Sequence, residues 1–292
     1  MSYLERIQEC NHHDKARYRD FTVGGVLAGR MAHTFAERLR EWDDVFQVSE
    51  DEIMLSEALL CDGIDLEHRS RRVSAVLLAL RAEGVIDGWR DEIHKISRRW
   101  SDPPLLLVER AAIPYFGAGG FAVHMNGFVR SGNGLALWVA RRSDDKPTSP
   151  GQLDQLVAGG QPAHLGLFEN LIKECAEEAG IAAPLARCAR STGLVSYAHD
   201  SSRGYRPDVI YTFDLELPAD FQPVNTDGEV AEFRLCPVEE VADLVRDTQR
   251  FKPNCALVVI DFLVRHGVVC AEQPDFCEIV QGLRQNHGLN QR

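Results

Sequence analysis

Residues 159–181 read GGQPAHLGLFENLIKECAEEAGI, and this stretch decides the fold. Its second half carries Glu174, Glu177 and Glu178, followed by Gly180. On an α-helix the offsets i, i+3 and i+4 lie on one face, so the three carboxylates would repel one another. A hard divalent cation converts such repulsion into oxygen coordination. The spacing therefore predicts a helix that presents a metal site.

The residues around the acidic triple favour this prediction over an ordinary solvated helix face. Gly159 and Gly160 precede the helix and let the backbone approach a ligand closely. Leu167 and Leu171 supply an apolar side, and Gly180 suits a helix C-cap. A lone acidic triple without this order is more often a solvated face. The sequence of glycines, apolar-faced helix and glycine stop therefore indicates a metal-binding unit.

With these residues in place, the stretch resembles the signature of the Nudix hydrolases. That signature runs glycine, five residues, glutamate, seven residues, arginine, glutamate, an aliphatic residue, a spacer, two glutamates, a spacer, glycine and an aliphatic residue. The positions that match are Glu174, Glu177, Glu178, Gly180 and Ile181. The resemblance implies a strand–loop–helix unit that binds Mg²⁺ or Mn²⁺. It also implies an enzyme that cleaves nucleoside diphosphates linked to another moiety, or similar diphosphates.

Three positions depart from the signature. Lys173 replaces the arginine, which keeps a cation but loses the planar fork. Cys175 replaces an aliphatic residue, a mild change because a free cysteine behaves as a small hydrophobe. Leu165 stands where the first glutamate belongs, and this departure matters most. Either Glu169, one helical turn later, takes over its work, or the metal shell is thinner than usual.

The wider chain resembles the thiamine-pyrophosphokinase-related branch of the family, whose members carry a long extra N-terminal domain. The matching runs are VHMNGFV (123–129), LWVARRS (137–143), KPTSPGQLDQLVAGG (146–160), ENLIKECAEEAGI (169–181) and FKPNCALVVIDFLVRHG (251–267). GVIDGWRDE (84–92) is similar to the end of that N-terminal region. The resemblance implies hydrolysis of thiamine diphosphate analogues, especially oxidised ones, and tolerance of the altered first glutamate.

Composition is that of an ordinary globular protein. The chain has 292 residues, enough for two domains of about 150 residues each. Hydrophobic residues make up 45% and charged residues 26%, as is usual for soluble domains. No apolar run approaches the ~20 residues that span a bilayer, and the polar start MSYLERIQECNHHDK does not read as a signal peptide. We therefore expect no membrane partner.

The cysteines and the net charge limit which cellular compartment and which partners are expected. The eight cysteines include no CxxC pair, which predicts reduced thiols and a cytoplasmic location. The formal net charge of −12 argues against nucleic acid. An acidic enzyme still binds an anionic diphosphate where a metal and local Arg or Lys supply positive charge. The expected partner is a small-molecule diphosphate, bound by a monomer or a homodimer.

The pattern along the chain predicts two domains and a tail. Residues 1–116 read as a small mixed α/β domain, residues 117–268 as the Nudix domain, and residues 269–292 as a C-terminal tail. The fold class is α/β (α+β), with a Nudix α/β/α sandwich built on a mixed sheet. Strands at 121–130 and 135–142 should form a hairpin around the turn signal Ser-Gly-Asn-Gly.

The N-terminal region has one clear helix and one basic stretch. Apolar residues at i, i+3, i+4 and i+7 predict a helix at 71–83, and residues 21–27 read as a strand. Seven arginines make residues 69–99 locally basic, which would suit a phosphate or nucleic-acid surface. The interleaved acids favour an ordinary solvated helix face instead.

Roles on the acidic helix follow from the resemblance and from the chemistry of diphosphates. Hydrolysis needs positive charge on the phosphate oxygens, a water in line and a group that takes its proton. We expect Glu174 and Glu178 to ligate the metal directly, and Glu177 to ligate or to orient the water as base. The carbonyl of Gly159 or of Gly160 is a further expected ligand. Lys173 is expected to steady a glutamate, as the signature arginine does in relatives.

Glu229 is a candidate base from outside the helix. It lies in the loop-like run NTDGEV before a candidate strand. The resemblance implies that a glutamate in this late region can contact metal or water. An ordinary acid beside a turn is the alternative.

Five residues are predicted to bind substrate: Arg141, Arg142, Gln161, His124 and Asn126. One of the two arginines should point into the cleft, because successive strand residues face opposite ways and an arginine fork suits phosphate. His124 and Asn126 alternate on one strand and share a face, although a structural role is the alternative for the histidine. The candidates for stacking on a substrate ring are Tyr115, Phe116, Tyr197 and Tyr205.

Three other functions compete with hydrolysis of a thiamine-type diphosphate. An isopentenyl-diphosphate-isomerase-like enzyme would need an active-site cysteine facing a dry pocket, and Cys175 on the helix fits that poorly. A sensor that binds a diphosphate without turnover would explain Leu165. A Nudix enzyme that cleaves nucleotides or nucleotide sugars would keep the reaction and change the substrate.

Overall fold

The computed structural model describes residues 2–132, 134–226 and 228–285. Its N-terminal region is a mixed α/β unit. The helices are α1 (Tyr3–Glu9), α2 (His33–Leu39), α3 (Leu66–Ala82) and α4 (Ile113–Phe116). The strands are β1 (Tyr18–Val23), β2 (Val26–Ala32), β3 (Phe46–Val48), β4 (Glu52–Leu55), β5 (Ile93–Ile96) and β6 (Leu106–Glu109). Strands β1 to β4 form one sheet in the order β2-β1-β4-β3, and β5 pairs with β6.

One prediction for this region is confirmed and another is wrong. The apolar helix exists as α3, which begins earlier than predicted because the Asp65 side chain accepts a hydrogen bond from the His68 N–H. The single strand predicted at 21–27 is instead a hairpin. Gly24 and Gly25 both have positive φ, at 59° and 74°, and therefore make the tight turn between β1 and β2.

The rest of the chain surrounds a seven-stranded mixed sheet. Its strands are β7 (Phe121–Ser131), β8 (Gly134–Arg142), β9 (Leu153–Asp154), β10 (Val157–Gly160), β11 (Arg190–Ser201), β12 (Gly204–Glu216) and β13 (Val230–Pro237). The helices are α5 (Leu167–Ala179), α6 (Ala183–Ala186), α7 (Val238–Asp247), α8 (Pro253–Arg265) and α9 (Phe276–Gly282). The order is β11-β12-β7-β8-β13, with β10 on β7 and β9 on β8. Strand β12 runs parallel to β7, and the other pairings are antiparallel.

Helices cover both faces of this sheet. On one face α5 buries Leu171, Cys175 and Ala179 in a core shared with Val123 and Met125 of β7. On the other face α8 is buried along its length, with the buried side chains at 255–263. The predicted α/β/α sandwich with a mixed sheet is therefore confirmed. The predicted hairpin is also present as β7 and β8, although Asn133 in its turn lies outside the described residues.

Helix α1 lies against the larger sheet rather than against the smaller one. Tyr3 and Ile7 are buried in the same core as α7 and α8. The Tyr3 hydroxyl donates to the Ala242 carbonyl at 3.2 Å. Helix α9 also contacts α1, and a Cβ atom placed on Gly282 would lie 2.7 Å from Ile7 Cγ2. The predicted tail thus contributes a packed helix, and its positions 286–292 lie outside the described residues.

Membrane-spanning helices are not found in the described part of the chain, where no helix is long and apolar enough.

Candidate active site

A polar cleft of about 710 Å³ opens where β10, α5 and the start of α8 face the N-terminal region. Its acidic lining residues are Glu9, Glu92, Glu174, Glu177, Glu178 and Glu229. Its basic lining residues are Arg90, Arg110, Arg142, Lys146, Lys173, Arg206 and Lys252. A chain of strongly negative net charge thus concentrates positive side chains around one group of carboxylates.

Local sequence fixes the orientation of α5. The Glu169 side chain accepts a hydrogen bond from the Gly166 N–H at 2.9 Å and caps the helix start. At the other end Gly180 adopts the left-handed conformation, with φ 65°, and ends the helix. Because the apolar side packs on the sheet, Glu174 and Glu178 face the cleft. Glu169 is exposed, occupied as a cap and does not line the cleft, so it does not take the place of the missing glutamate at Leu165.

The backbone of β10 lies directly against the carboxylates. A Cβ atom on Gly159 would lie 2.3 Å from Glu174 Cδ, so any larger residue would displace the Glu174 side chain. The Ala158 N–H donates to Glu178 Oε2 at 2.7 Å. The glycine pair therefore serves the close approach that the sequence predicted, and Gly159 lines the cleft beside Glu174.

The glutamates lack compensating positive charge. Burial raises the pKa of Glu174, which Lys173 only partly offsets, and burial raises the pKa of Glu178 well above its usual range. Lys173 Nζ lies 3.2 Å from Glu174 Oε1 and 2.6 Å from Glu177 Oε2. Across the described residues, no cationic side chain lies within 4 Å of Glu178. Glu174, which has only a half-exposed lysine as its partner, and Glu178, which has no cation within 4 Å in the described chain, together fit a divalent cation.

Glu229 and Arg142 also line the cleft. Glu229 forms an ion pair with Lys146, and its carboxylate acts electrostatically on Glu178. Arg142 Nη1 lies 2.9 Å from Asp154 Oδ2, and its other donors bond to the Thr148 and Ser149 carbonyls. Arg142 therefore holds the 143–150 loop in place through these hydrogen bonds.

Arg141, by contrast, is not a cleft residue. It pairs with Asp144 at 2.6 Å on the outside of the loop. As predicted, only one of the two arginines points into the cleft, and it is Arg142.

Three of the predicted substrate-binding side chains are buried elsewhere. Gln161 donates to the Leu165 and Pro162 carbonyls and braces the loop before α5. Asn126 donates to Asp214 at 3.0 Å. His124 shares its face of β7 with Asn126, as predicted, but the sheet face they share is covered by α8. Each of the three is at most 3% exposed, which excludes direct contact with a ligand in this conformation.

His124 belongs to a second cluster of side chains that can bind metals. The ligand atoms of His124, Asp154 and Cys255 all lie within 4.8 Å of one another, close enough to hold one ion. Cys255 Sγ donates to Asp154 Oδ1 at 2.7 Å. Burial opposes the charge on Asp154, but Lys252, His124 and Arg142 lower its pKa to about 2. The carboxylate already has its positive partners, so this cluster is charge-balanced as it stands.

Two ring-bearing side chains of β11, Tyr197 and His199, also line the cleft. Tyr197 and His199 stack with ring centroids 5.9 Å apart and an interplanar angle of 18°. The Tyr197 hydroxyl donates to Asp208, which also pairs with Arg206 at 2.7 Å. Of the four aromatic candidates from the sequence, Tyr197 alone is a lining residue.

Sequence reasoning missed the contribution of the N-terminal region. Arg90, Glu92, Arg110, Glu9 and Cys10 all line the cleft. The only signal for them was the basic stretch that contains Arg90. Most of that stretch is an ordinary solvated surface; Arg71, for example, pairs with Glu67 on the exposed face of α3.

The mixed-sheet sandwich, the strand–loop–helix unit and its carboxylates define a hydrolase of the Nudix class. A model of the NUDIX domain matches residues 120–255, and a domain of unknown function (DUF4743) matches residues 2–119. The chain belongs to the Nudix hydrolase family, whose members are pyrophosphohydrolases that generally use divalent metal ions.

Its similarity to curated relatives extends over both parts. Nudix hydrolase 24, chloroplastic, of Arabidopsis thaliana is 40% identical over 284 residues, which is 97% of this chain and 77% of that protein. Nudix hydrolase 20, chloroplastic, of the same plant is 39% identical over 289 residues, with the same coverage. Among solved structures, the NUDIX domain of Shewanella oneidensis NrtR with ADP ribose is 16% identical and covers 52% of this chain and 90% of that one, at a TM-score of 0.39.

Proposed function

We propose that the protein is a Mg²⁺- or Mn²⁺-dependent diphosphohydrolase of the thiamine-pyrophosphokinase-related Nudix branch. Its substrate would be thiamine diphosphate or an oxidised analogue, cleaved to the monophosphate and phosphate. The observation that carries the proposal is one cleft lined both by under-compensated carboxylates and by the stacked pair Tyr197 and His199. Its volume of about 710 Å³ lies within the range of small-molecule sites.

Roles at the acidic end follow from position. Glu174, Glu178 and the Gly159 carbonyl would hold the metal, which when bound neutralises charge on the phosphate oxygens and polarises the bond to be cleaved. Glu177 is half exposed, so it can ligate or accept a proton from the attacking water. Glu229 is the second candidate for that proton, because it lies in the cleft near Glu178. Lys173 steadies Glu174 and Glu177.

The aromatic part of the lining suits a planar, positively charged ring. Tyr197 is 2% exposed and supports His199 from behind, so His199 offers the aromatic face. Burial lowers the pKa of His199, so its ring is neutral at pH 7 and does not repel a thiazolium cation. His199 Nδ1 is buried and has no hydrogen-bond partner within the described residues, and it can bond to a ring substituent. Glu9 in the same lining adds a negative charge.

Two alternatives keep specific support. The stacked pair accepts any planar base, which also fits a nucleotide or nucleotide-sugar substrate. Leu165 together with the capping role of Glu169 fits a catalytically degenerate sensor that binds a diphosphate. In either case the metal-binding carboxylates keep the same roles.

Location and assembly also belong to the proposal. All eight cysteines are free thiols, which fits a reducing cytoplasm, whereas the names of the two plant relatives place those proteins in chloroplasts. We propose a monomer or homodimer without a nucleic-acid partner.

Product analysis by mass spectrometry tests the function directly. The purified protein is incubated with thiamine diphosphate, oxothiamine diphosphate, oxythiamine diphosphate, ADP-ribose and nucleoside triphosphates, with Mg²⁺, with Mn²⁺ and with chelator. Metal-dependent formation of a thiamine-type monophosphate supports the proposal. Preferential cleavage of a nucleotide would mean that the substrate is a nucleotide and not a thiamine-type diphosphate. Thermal stabilisation by a ligand without turnover would favour the sensor.

A further inference from the structure

The wall of the cleft opposite α5 is built by the segment that joins α3 to the Nudix domain. Arg90 and Glu92 precede β5, and Arg110 follows β6. All three side chains line the same cleft as the glutamates of α5. Glu92 also acts electrostatically on Glu174 and adds to the negative charge around it.

Arg110 lies beside the expected metal site. A Cβ atom on Gly160 would come within 2.9 Å of Arg110 Cζ, so the guanidinium rests over the Gly160 backbone. The preceding residue, Gly159, touches Glu174 in the same way. Because successive strand residues face opposite ways, the guanidinium and the Glu174 carboxylate contact adjacent positions on opposite sides of β10, and both line the cleft. The glycine pair serves two contacts, one with each wall.

Arg110 keeps donors available for a ligand. Its Nη1 lies 3.0 Å from Glu92 Oε2, and within the described residues no other carboxylate comes within 4 Å. The Arg110 side chain is 45% exposed, and it faces the cleft. Arg142 and Arg206 lie in the same cleft but are bound to Asp154 and Asp208.

The position of Arg110 is fixed by a buried carboxylate. Glu109 is 3% exposed and accepts backbone N–H bonds from Arg90 at 2.8 Å, Glu92 at 3.2 Å and Ala111 at 3.2 Å. The Arg110 N–H donates to the Glu92 carbonyl at 2.8 Å. Glu92 is held in turn by His94 Nε2 at 2.7 Å. This network sets the guanidinium before any ligand arrives.

The same segment supports the loop that lacks the signature glutamate. The Ala163 N–H donates to the Ile93 carbonyl at 2.8 Å, which ties the loop carrying Leu165 to β5. The N-terminal region thus contributes both to the shape and to the charge of the site.

We propose that Arg110 binds a phosphate group of the substrate, with Glu92 and Glu109 as positioning residues. The N-terminal region then completes the diphosphate site of the Nudix domain. A planar guanidinium with one edge held by Glu92 presents its remaining N–H groups to phosphate oxygens. This inference rests on the proposed function in one respect, that the ligand is a diphosphate.

Substitution of Arg110 tests the inference. We compare Arg110→Gln, Arg110→Lys and Glu92→Gln with the control Arg71→Gln, an exposed helix arginine paired only with Glu67. The readouts are KM and kcat for the best substrate and the Kd of inorganic pyrophosphate with Mg²⁺ by calorimetry. We expect Arg110→Gln to raise KM and Kd by about 10-fold or more, the value of a charge-assisted bond. Arg110→Lys should recover part of the loss, and the control should match wild type.

The outcomes separate a binding role from a structural one. If the Arg110–Glu92 pair merely stabilises the fold, Glu92→Gln will raise KM and Kd as much as Arg110→Gln does, and both substitutions will lower the melting temperature. Unchanged KM and Kd in a folded Arg110→Gln protein would overturn the proposal. Arg110-dependent binding of pyrophosphate by a protein that hydrolyses nothing would support it and would refute the proposed enzyme function instead.

Discussion

Two clusters of potential metal ligands lie a short distance apart and differ in how their charge is balanced. The cluster on α5 has Glu174, Glu177 and Glu178 facing a cleft, with Lys173 as the only cation within 4 Å in the described chain. The cluster of His124, Asp154 and Cys255 is fully buried. Its carboxylate has two cations within 4 Å, Arg142 and Lys252.

The difference teaches that ligand type alone does not identify a metal site. The buried cluster offers a tighter set of donor atoms, but a divalent ion there would meet two positive side chains. The α5 cluster is looser and lacks positive charge, which is the condition a cation relieves. The buried cluster instead holds Arg142 and Lys252 in place at the edge of the cleft. The following predictions test this division of roles, beginning with the largest effect.

Glu178→Gln should abolish most catalysis. The change keeps the shape of the side chain but removes charge from the expected metal shell. We expect kcat to fall by about 1,000-fold, or roughly 4 kcal/mol, the scale of a metal's contribution. Steady-state kinetics across a Mg²⁺ series measures the loss.

Glu169→Gln is the matched control on the same helix, because Glu169 caps the helix outside the cleft. Its activity should stay close to wild type. Near-full activity of Glu178→Gln, or a large loss in Glu169→Gln, would move the metal site away from the residues assigned here.

Asp154→Asn should reduce stability rather than metal-dependent activity alone. The change leaves Arg142 and Lys252 without their shared carboxylate. We expect a loss of about 3 kcal/mol in the free energy of unfolding, as for other buried pairs with one partner removed. Urea unfolding measures it, with the exposed Asp220→Asn as control. Stabilisation by Mg²⁺ or Mn²⁺ that the wild type shows and the Asp154→Asn protein lacks would instead indicate a metal at the buried cluster.

His124→Gln should change the dependence of stability on pH. Burial lowers the pKa of His124 from 6.5 to about 4 in the folded state. Between these values the unfolded chain binds the proton more readily, so stability falls as the pH falls. We expect the free energy of unfolding of the wild type to fall by about 2 kcal/mol between pH 7 and pH 5 because of this group. That of the mutant should fall correspondingly less. Identical pH profiles would show that the ring is not held neutral.

Lys173→Met should have the smallest effect. It removes the cation between Glu174 and Glu177, but the ammonium group is half exposed and weakly effective. In chelator we expect the free energy of unfolding to fall by at most about 0.5 kcal/mol. Saturating Mg²⁺ should cancel this loss, because the bound ion supplies the positive charge that the lysine provided. Melting temperatures with and without Mg²⁺ measure the difference. An equal loss in both conditions would mean that Lys173 stabilises the helix independently of the site.

The sequence predicted the local parts of this site well. The helix α5, its glycine stop and the close approach of Gly159 all depend on neighbours within a few turns, where spacing determines geometry. The hairpin at Gly24 and Gly25, outside the site, was wrongly predicted as one strand, although its signal, a glycine pair between two apolar runs, is equally local.

The long-range parts could not be predicted in the same way. Arg110 meets Gly160 because two separately formed sheets face each other, and no spacing records that contact. Alternation correctly put His124 and Asn126 on one face of β7. It could not show that α8 covers this face, because which helix packs on which face is a property of the whole fold.

The contact of α1 with α9 affects the order in which the protein folds during translation. Residues 3–9 leave the ribosome long before residues 276–282, yet both pack into the core around α7 and α8. The smaller sheet has all its strands early and can close during translation, whereas the larger core stays open until α9 has emerged. During that interval Tyr3 and Ile7 lack the part of their core that α9 supplies, and their apolar surface is only partly buried. A chain that stalls before α9 is therefore expected to bind chaperones or aggregate at its N-terminal helix.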